Sequence, residues 1–299
     1  MPKSLSNYLT DLLQHFQYLE KTKPLVFTIT NYVTILDVAQ AIRDSNALPA
    51  MWFDEECAVD LTEIASCLYI NMGTFDNKSF LAMLEAGKVA KKKRIPIVVD
   101  VVAYGASKKI SSYTNSLIDE LEPSIIKGNK GEISALCNLK AEVRGVEALS
   151  YSDKLLEGMR ETASKLKSVL IASGEKDIVT DGKNVFYISN GVKELSLIVG
   201  SGCVSSAIVA SFCCCSKDLN FSYAYSSALA MSYFGIAGEL ARKEIINKLK
   251  TETELISEAC SQVDLVPSYS FKTKLFDMLF LLSKSENLLN NCRVKIEVV

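Results

Sequence analysis

The sequence predicts an α/β domain with a mainly parallel central sheet and helices on both faces. Short segments rich in Val and Ile alternate with longer amphipathic segments along 299 residues, and alternating strands and helices form parallel sheets through crossover connections. Hydrophobic residues make up 48% of the chain, which is enough for a large core. No linker, low-complexity tract or internal repeat interrupts this pattern. We therefore predict a single domain over residues 1–299.

The first helix is predicted by an apolar stripe at helical spacing between Leu5 and Leu19. His15, the only histidine of the chain, is expected on the polar side of this helix. A single histidine disfavours a Ser-His-Asp triad, a Cys-His pair and a multi-histidine zinc site, and C-x-x-C pairs are absent. A net charge of -2 gives no reason to expect binding to nucleic acid or to an anionic membrane.

Eight apolar segments are predicted as strands. The first five alternate with helical patterns, so we predict that they run parallel: Pro24–Thr30, Leu48–Phe53, Cys67–Gly73, Ile95–Val102 and Ser124–Asn129. The last three follow one another closely across turn residues, so we predict an antiparallel extension of the sheet: Ser168–Gly174, Asp177–Gly182 and Asn184–Gly191.

The segment Leu195–Ser216 contains no charged residue and has the length of a membrane span, which needs ~20 apolar residues. Its glycines and serines are poor material for a helix that faces lipid. A sheet of this size also needs buried helices on its faces, so we predict that this segment and Leu219–Ile245 form core helices and that the protein has no membrane contact. The N-terminus lacks the apolar run of a signal peptide, and adjacent Cys213, Cys214 and Cys215 suit no disulfide framework, which favours the cytoplasm.

A glycine turn runs into the predicted helix at Gly200, Ser201, Gly202 and Cys203. Backbone N–H groups at such a turn, together with the helix dipole, bind anions. Cys203 falls in the first helical turn, where the same field favours a thiolate. A purely structural turn is the alternative, because a Gly-x-Gly pattern alone is weakly specific.

Polar residues at two strand ends form further candidate sites. Asn129 and Glu132 at a helix start are suited to a hydrated magnesium ion, with Lys127 available for a phosphate. The same N-x-x-E spacing also fits a helix capping box, and both interpretations stay open. Asp100 ends a predicted parallel strand, where ligands bind in open α/β sheets, although a structural role is equally compatible with that position.

Together these motifs resemble the hydroxyethylthiazole kinase family of thiamine salvage, whose fold is the ribokinase-like three-layer sandwich. The resemblance covers nearly the whole chain and agrees in order and spacing. The similar segments are PLVFTITNYVT (24–34), LPAM (48–51), INMGT (70–74), KGNKGEI (127–133), GSGC (200–203) and GIAGELA (235–241).

The resemblance implies a kinase that transfers phosphate from ATP, with Mg²⁺, to the hydroxyl of 4-methyl-5-(2-hydroxyethyl)thiazole. Cys203 takes the place where most ribokinase-like enzymes have an aspartate base, and Gly200 to Cys203 form the anion hole. The other implied sites are Asn31, Met51, Gly73 and Gly200 for the thiazole alcohol, Lys127 and Ser173 for ATP, and Asp100 and Glu132 for magnesium. The resemblance also implies a homotrimer whose pocket lies between subunits.

The sequence departs from the family at several positions. The family commonly has His-Cys at Phe27-Thr28, proline at Val101, arginine at Lys127 and threonine at both Val199 and Ser173. A lysine lacks the bidentate fork of arginine, which predicts weaker nucleotide binding. The departures at Phe27 and Val199 leave the identity of the acceptor alcohol open.

Three alternatives to this function remain at the level of sequence. One is a kinase of a related vitamin alcohol of the pyrimidine or pyridoxal type. Another is a thiazole-binding trimer without catalytic activity. The third, a transferase with Cys203 as nucleophile, is disfavoured because no histidine is placed to activate the thiol.

Overall fold

The computed structural model describes residues 5–139, 148–252 and 254–299. The strands are β1 (Leu25–Ile29), β2 (Leu48–Met51), β3 (Cys67–Asn71), β4 (Ile97–Asp100), β5 (Ile125–Asn129), β6 (Val169–Ser173), β7 (Asp177–Thr180), β8 (Val185–Ile188) and β9 (Ile296–Val298). The helices are α1 (Leu5–Thr22), α2 (Ile35–Asp44), α3 (Glu55–Ile64), α4 (Asn77–Lys93), α5 (Lys108–Leu121), α6 (Lys130–Leu136), α7 (Ala148–Leu166), α8 (Ser201–Cys213), α9 (Tyr223–Glu252), α10 (Glu254–Val263), α11 (Ser268–Lys284) and α12 (Glu286–Asn290).

The strands form one sheet of 9 strands in the order β2-β1-β3-β4-β5-β6-β7-β8-β9. The pairs from β2 to β6 are parallel, and the pairs from β6 to β9 are antiparallel. The predicted parallel sheet and its antiparallel extension are therefore confirmed. The sequence analysis missed β9, because a strand of 3 residues is too short to show a period.

Successive residues of each central strand face opposite layers of helices. In β1, Val26 joins a core formed with α1, α2, α8, α9 and α11, whereas Phe27 and Ile29 join a second core formed with α3 to α7. A strand covered on both faces reads as a continuous apolar run, which is the pattern that the sequence shows. The expected three-layer arrangement is confirmed.

The uncharged segment Leu195–Ser216 is a helix of the core. It begins in a short 3-10 helix, Lys193–Leu197, turns at Gly200, and continues as α8. Every α8 residue from Cys203 to Cys213 is buried, because the helix packs between the sheet and helices α2 and α9. Among the helices of the described residues, none combines the length and the apolar character needed to cross a membrane.

His15 does not lie on a polar face, so that prediction was wrong. The ring is fully buried and stacks between Phe212 and Phe221, with centroid distances of 4.9 and 5.2 Å. Its Nδ1 donates to the Asp11 carbonyl oxygen at 2.8 Å, and its Nε2 lies 3.1 Å from the Ser226 hydroxyl. Burial lowers the pKa of His15 to about 4. Helix α1 is thus covered on this side by residues that follow it by about two hundred positions, which periodicity cannot reveal.

Candidate active site

The predicted site residues lie along one edge of the sheet. Parallel strands end at the same edge, and the N-terminus of a helix packed on these strands points toward it. Helix α8 packs against β3, β4 and β5. In strand order, the edge carries Met51 on β2, Asn31 after β1, Gly73 after β3, Asp100 on β4, Lys127 on β5 and Ser173 on β6. In the strand order, the sheet residues expected to bind the alcohol therefore lie on one side of Asp100, and the residues expected to bind ATP lie on the other.

The turn before α8 requires glycine at position 200. Gly200 has a φ of 83°, in the left-handed region that side chains disfavour. A Cβ atom at this position would also lie 2.2 Å from Cγ2 of Thr34. Gly200 is the N-cap of α8, and no side chain caps this end of the helix. The Ser201 N–H donates to the Ile198 carbonyl oxygen at 3.3 Å, which leaves the next two N–H groups of α8 for an anion.

Cys203 is held by hydrogen bonds on its side chain and on its backbone. Its side chain is buried, with 8% exposure. The Sγ atom accepts hydrogen bonds from Nδ2 of Asn71 at 3.2 Å and from Nδ2 of Asn31 at 3.5 Å. Its carbonyl oxygen accepts from the Tyr69 hydroxyl at 3.1 Å. Burial, and next the Asp100 carboxylate, raise the pKa of the Cys203 thiol, so the predicted preference for a thiolate was wrong in its net direction.

Asp100 lies beneath Cys203 in the same network. Its Oδ2 accepts from the Ser206 hydroxyl at 2.8 Å and from Nδ2 of Asn71 at 3.3 Å. Burial raises the pKa of the Asp100 carboxyl, while the Lys127 ammonium acts in the opposite direction. A carboxylate oxygen is the kind of ligand that Mg²⁺ prefers, and the contact of Asp100 with magnesium stays a prediction.

Lys127 and Ser173 are expected to contact ATP. The Lys127 side chain is buried, and its Nζ donates to the Gly202 carbonyl oxygen at 3.0 Å. The lysine thus supports the first turn of α8 from below. The Ser173 hydroxyl is half-buried and donates to the Gly128 carbonyl oxygen at 3.2 Å. The two side chains lie on neighbouring strands, and their contacts with ATP stay predictions.

Asn129 and Glu132 form the predicted capping box of α6. The Asn129 side chain accepts from the Glu132 N–H at 2.9 Å, and Oε2 of Glu132 accepts from the Asn129 N–H at 2.7 Å. The second carboxylate oxygen, Oε1, accepts from the Ala103 N–H at 2.8 Å. Burial raises the pKa of the Glu132 carboxyl, and Asp100 adds to this effect. Glu132 therefore caps a helix and also lies close enough to Asp100 for their charges to interact.

This pair of carboxylates fits a magnesium ion. Within the described residues, no group of at least three His, Cys, Asp or Glu side chains is arranged to hold a metal. Mg²⁺ is commonly bound through one or two carboxylates together with water and substrate phosphates, a pattern that Asp100 and Glu132 match, and their contact with magnesium stays a prediction.

Three of the four residues expected around the alcohol lie at the ends of β1, β2 and β3. The Asn31 side chain binds the Val33 and Thr34 N–H groups, each at 3.0 Å. A Cβ atom at Gly73 would lie 3.0 Å from Oδ1 of Asn71 and 3.1 Å from Cβ of Asn31, so glycine lets the chain pass close to both side chains. Met51 is half-buried on the edge strand. Contacts of these residues with a substrate stay predictions.

Sequence reasoning missed three residues of this network: Tyr69, Asn71 and Ser206. Asn71 carried a usable signal, because it ends β3 as Asp100 ends β4. Ser206 lies three positions after Cys203 on one side of a helix, which is a second usable signal. Tyr69 carried no such signal, because in the sequence it is one more apolar residue of a buried strand.

Comparison with known proteins identifies the family. The family model of the hydroxyethylthiazole kinase family matches residues 16–265. A hydroxyethylthiazole kinase from Methanocella arvoryzae is 36% identical over 256 residues, which are 86% of this chain and 92% of that protein. The hydroxyethylthiazole kinase of Clostridium novyi is 35% identical and covers 93% of this chain and 96% of its own length.

Solved structures agree on the fold. The structure of a hydroxyethylthiazole kinase protein from Pyrococcus horikoshii superposes with a TM-score of 0.77 at 24% identity, covering 97% of this chain and 99% of that chain. A ribokinase-like superfamily protein from Enterococcus faecalis superposes with a TM-score of 0.61 at 14% identity, covering 92% of this chain and 89% of that chain. The fold is ribokinase-like, and the chain belongs to the hydroxyethylthiazole kinase family.

Proposed function

We propose that this protein transfers the γ-phosphoryl group of ATP to the hydroxyl of 4-methyl-5-(2-hydroxyethyl)thiazole in thiamine salvage. Membership of the family supports the reaction and its acceptor. One structural observation carries the assignment to this site. The uncapped start of α8, with Cys203 in its first turn, lies between the alcohol-side and ATP-side residues of a single sheet edge.

The reaction needs positioning and charge neutralisation more than a strong base, since phosphoryl transfer has a loose transition state. The alcohol oxygen forms a bond to the γ-phosphorus, the bond from that phosphorus to the β,γ-bridging oxygen breaks, and ADP leaves. The N–H groups of Gly200, Gly202 and Cys203 hold the transferring group, whereas the Ser201 N–H donates to the Ile198 carbonyl oxygen. Cys203 orients the alcohol or takes up its proton, and a weak base suffices for this role.

The residues on the ATP side of the site supply its charged groups. A magnesium ion held near Asp100 and Glu132 would neutralise charge on the ATP oxygens. Lys127 supports the anion hole through Gly202 and contributes a positive charge beneath it. Ser173 retains the hydroxyl that a threonine commonly supplies in the family.

We further propose that the protein acts in the cytoplasm as a homotrimer with its pocket between subunits. Large apolar side chains are exposed beside Asn31 and Met51, where a monomer would leave them in water. They are Tyr32, Val33, Leu36, Trp52 and Val199, and Leu36 is 77% exposed. Clustered exposed apolar side chains are typical of an interface.

A coupled assay of ADP release tests the function. Purified protein is incubated with ATP, Mg²⁺ and a panel that holds the thiazole alcohol, a pyrimidine alcohol and pyridoxal. We expect ADP release that depends on the thiazole alcohol, and a phosphate ester of that alcohol by mass spectrometry. Faster turnover of another member of the panel would reassign the acceptor. Binding of the alcohol without ADP release would replace the kinase by a thiazole-binding protein.

A further inference from the structure

Two asparagine side chains direct their amide nitrogens at the sulfur of Cys203. The orientation of Asn31 follows from its backbone partners. The Val33 and Thr34 N–H groups can only donate, so the atom that faces them must be the oxygen, Oδ1. Its Nδ2 then points the other way, toward Oδ1 of Asn71 at 3.0 Å and the sulfur at 3.5 Å.

The orientation of Asn71 follows in the same way. Its Oδ1 accepts from the Gly73 N–H at 3.0 Å and from Nδ2 of Asn31. Its Nδ2 lies 3.2 Å from the Cys203 sulfur and 3.0 Å from the Tyr69 hydroxyl. Asn71 is fully buried, so water does not compete for these groups. The side chain thus connects the alcohol-side loop after β3 to the first turn of α8.

This arrangement restricts the hydrogen bonds that the sulfur can make. An amide NH₂ group is a donor and cannot accept a proton. The Cys203 thiol therefore cannot donate to either asparagine, and the charged groups around it are Asp100 and Lys127. The sulfur accepts N–H bonds from both asparagines, and the Thr34 hydroxyl is its further hydrogen-bonding neighbour.

We propose that Asn71 is a positioning residue that, together with Asn31, holds the Cys203 sulfur as a hydrogen-bond acceptor facing the substrate hydroxyl. The inference rests on the proposed role of Cys203 in phosphoryl transfer. Asn71 itself touches no reacting atom and acts through the sulfur. A buried asparagine with a merely structural role would support the β3 loop equally well whether or not residue 203 carries a sulfur.

A double-mutant cycle separates these two roles. Asn71→Leu and Asn71→Asp are each made in the wild-type protein and in Cys203→Ala, and kcat and KM for the thiazole alcohol are measured by ADP release. We expect Asn71→Leu to lower kcat about 10- to 100-fold in the wild type, since hydrogen bonds to a charged group are the stronger ones and the bond from Asn71 favours the thiolate that accepts the proton. In Cys203→Ala the same change should lower kcat less than about threefold, because the coupled partner is gone.

Two further variants make the result decisive. Asn71→Asp keeps the acceptor for the Gly73 N–H, so it serves if Asn71→Leu fails to fold. Ser205→Ala removes a bond to the Gly202 carbonyl oxygen in the same helical turn and none to the sulfur or to either asparagine, so its effect should be equal in both backgrounds. Equal losses from the Asn71 variants in both backgrounds would overturn the inference while leaving the function intact. Wild-type kcat in Cys203→Ala would instead remove the role of Cys203, and the inference with it.

Discussion

At the scale of single residues, Cys203 has a position suited to catalysis, but its protonated thiol cannot take up a further proton. Burial, and then Asp100, raise the pKa of its thiol, so the free enzyme holds a neutral thiol at physiological pH. Hydrogen bonds from the Thr34 and Asn71 side chains act against this effect and lower the pKa. In the proposed base role, only the minor thiolate form of Cys203 can therefore take up the proton of the alcohol.

Substitution of Cys203 tests this role. Cys203→Ala keeps the backbone N–H groups of the anion hole, so ATP binding should survive while kcat falls, by at most about 10²- to 10⁴-fold for a lost general base. Cys203→Asp should restore or exceed wild-type turnover, because a carboxylate can accept the same proton. Steady-state kinetics, with mass spectrometry for adducts, measure both. An inactive Cys203→Asp together with a trapped acyl or phosphoryl thiol would contradict the base role.

Glu132 is both a helix cap and a candidate magnesium ligand, and a neighbouring residue separates these roles. Asn129→Ala removes the other half of the capping box and leaves the carboxylate, whereas Glu132→Gln removes the charge. Each should lower the free energy of unfolding by about 1 kcal/mol. Only Glu132→Gln should also raise the Mg²⁺ concentration for half-maximal turnover, by about tenfold. The same Mg²⁺ dependence in both variants would leave Glu132 with the capping role alone.

At the scale of elements, helix α8 depends on the turn that starts it. The N-terminus of this helix is directed at the sheet edge because Gly200 turns the chain in a left-handed conformation against Thr34. Lys127 then holds the first turn from below through Gly202. The position of the anion hole is thus set by contacts with two other elements.

Gly200→Ala should displace the start of α8. The left-handed φ and the contact of 2.2 Å with Cγ2 of Thr34 should together lower the free energy of unfolding by about 2–4 kcal/mol. Gly202→Ala is the matched control, because its Cβ would meet only Nζ of Lys127, at 4.0 Å; it should change that free energy by less than about 1 kcal/mol. Urea denaturation measures both. Equal stability of the two variants would contradict the contact with Thr34.

Helix α1 is attached to α8 and α9 through His15, which makes its attachment pH-dependent. The pKa of His15 is lowered to about 4, so the unfolded chain binds a proton near pH 6.5 that the folded protein binds only near pH 4. The contribution of neutral His15 to the free energy of unfolding is therefore present above about pH 6.5. About 3 kcal/mol of this free energy is lost as the pH falls toward 4.

A variant isolates this effect from other titrating groups. Burial raises the pKa of Asp44 and of Asp177 to about 6, and their contributions change in the opposite direction, because they are lost as the pH rises. His15→Phe keeps the stacking and removes the titration, while both aspartates remain. The stability difference between wild type and His15→Phe should shift by about 3 kcal/mol in favour of the variant between pH 7 and pH 4. Parallel stability curves would show that His15 does not titrate in this range.

At the scale of the whole molecule, the candidate site lies near β2, the outermost strand on one side of the sheet. An edge strand leaves half of its surroundings to solvent or to another subunit. Trp52 directly follows β2 and is 51% exposed. A pocket bordered on this side by a second subunit would be closed to water, which strengthens charge interactions within it.

The proposed assembly predicts a trimer in solution. Leu36→Asp places a charge on the proposed interface and should shift the mass measured by light scattering from a trimer toward a monomer. Ile64→Asp is the control. Ile64 is 69% exposed, but it ends α3 just before β3 begins, at the opposite end of the strands from the site. It should leave the mass unchanged. A stable monomer with full kinase activity would exclude the shared pocket.

The layers of the fold, and the end of the strands at which the candidate site lies, can be predicted from the sequence alone. Buried parallel strands read as apolar runs, and polar residues at their ends, such as Asp100 and Asn129, stand out against them. Both signals are local, since they depend on residues within one strand and the turn after it. The capping box at Glu132 was local in the same sense.

Only the tertiary structure decided which side chains meet. Asn71 reaches Cys203 across 132 positions of the chain, and His15 reaches Ser226 across 211; neither contact leaves a periodic pattern. The protonation of Cys203 was also beyond the sequence, because the helix field can be read from its position in the first turn, but burial and the charge of Asp100 cannot. Burial and long-range contacts depend on how layers pack, and these two quantities set the chemistry of the site.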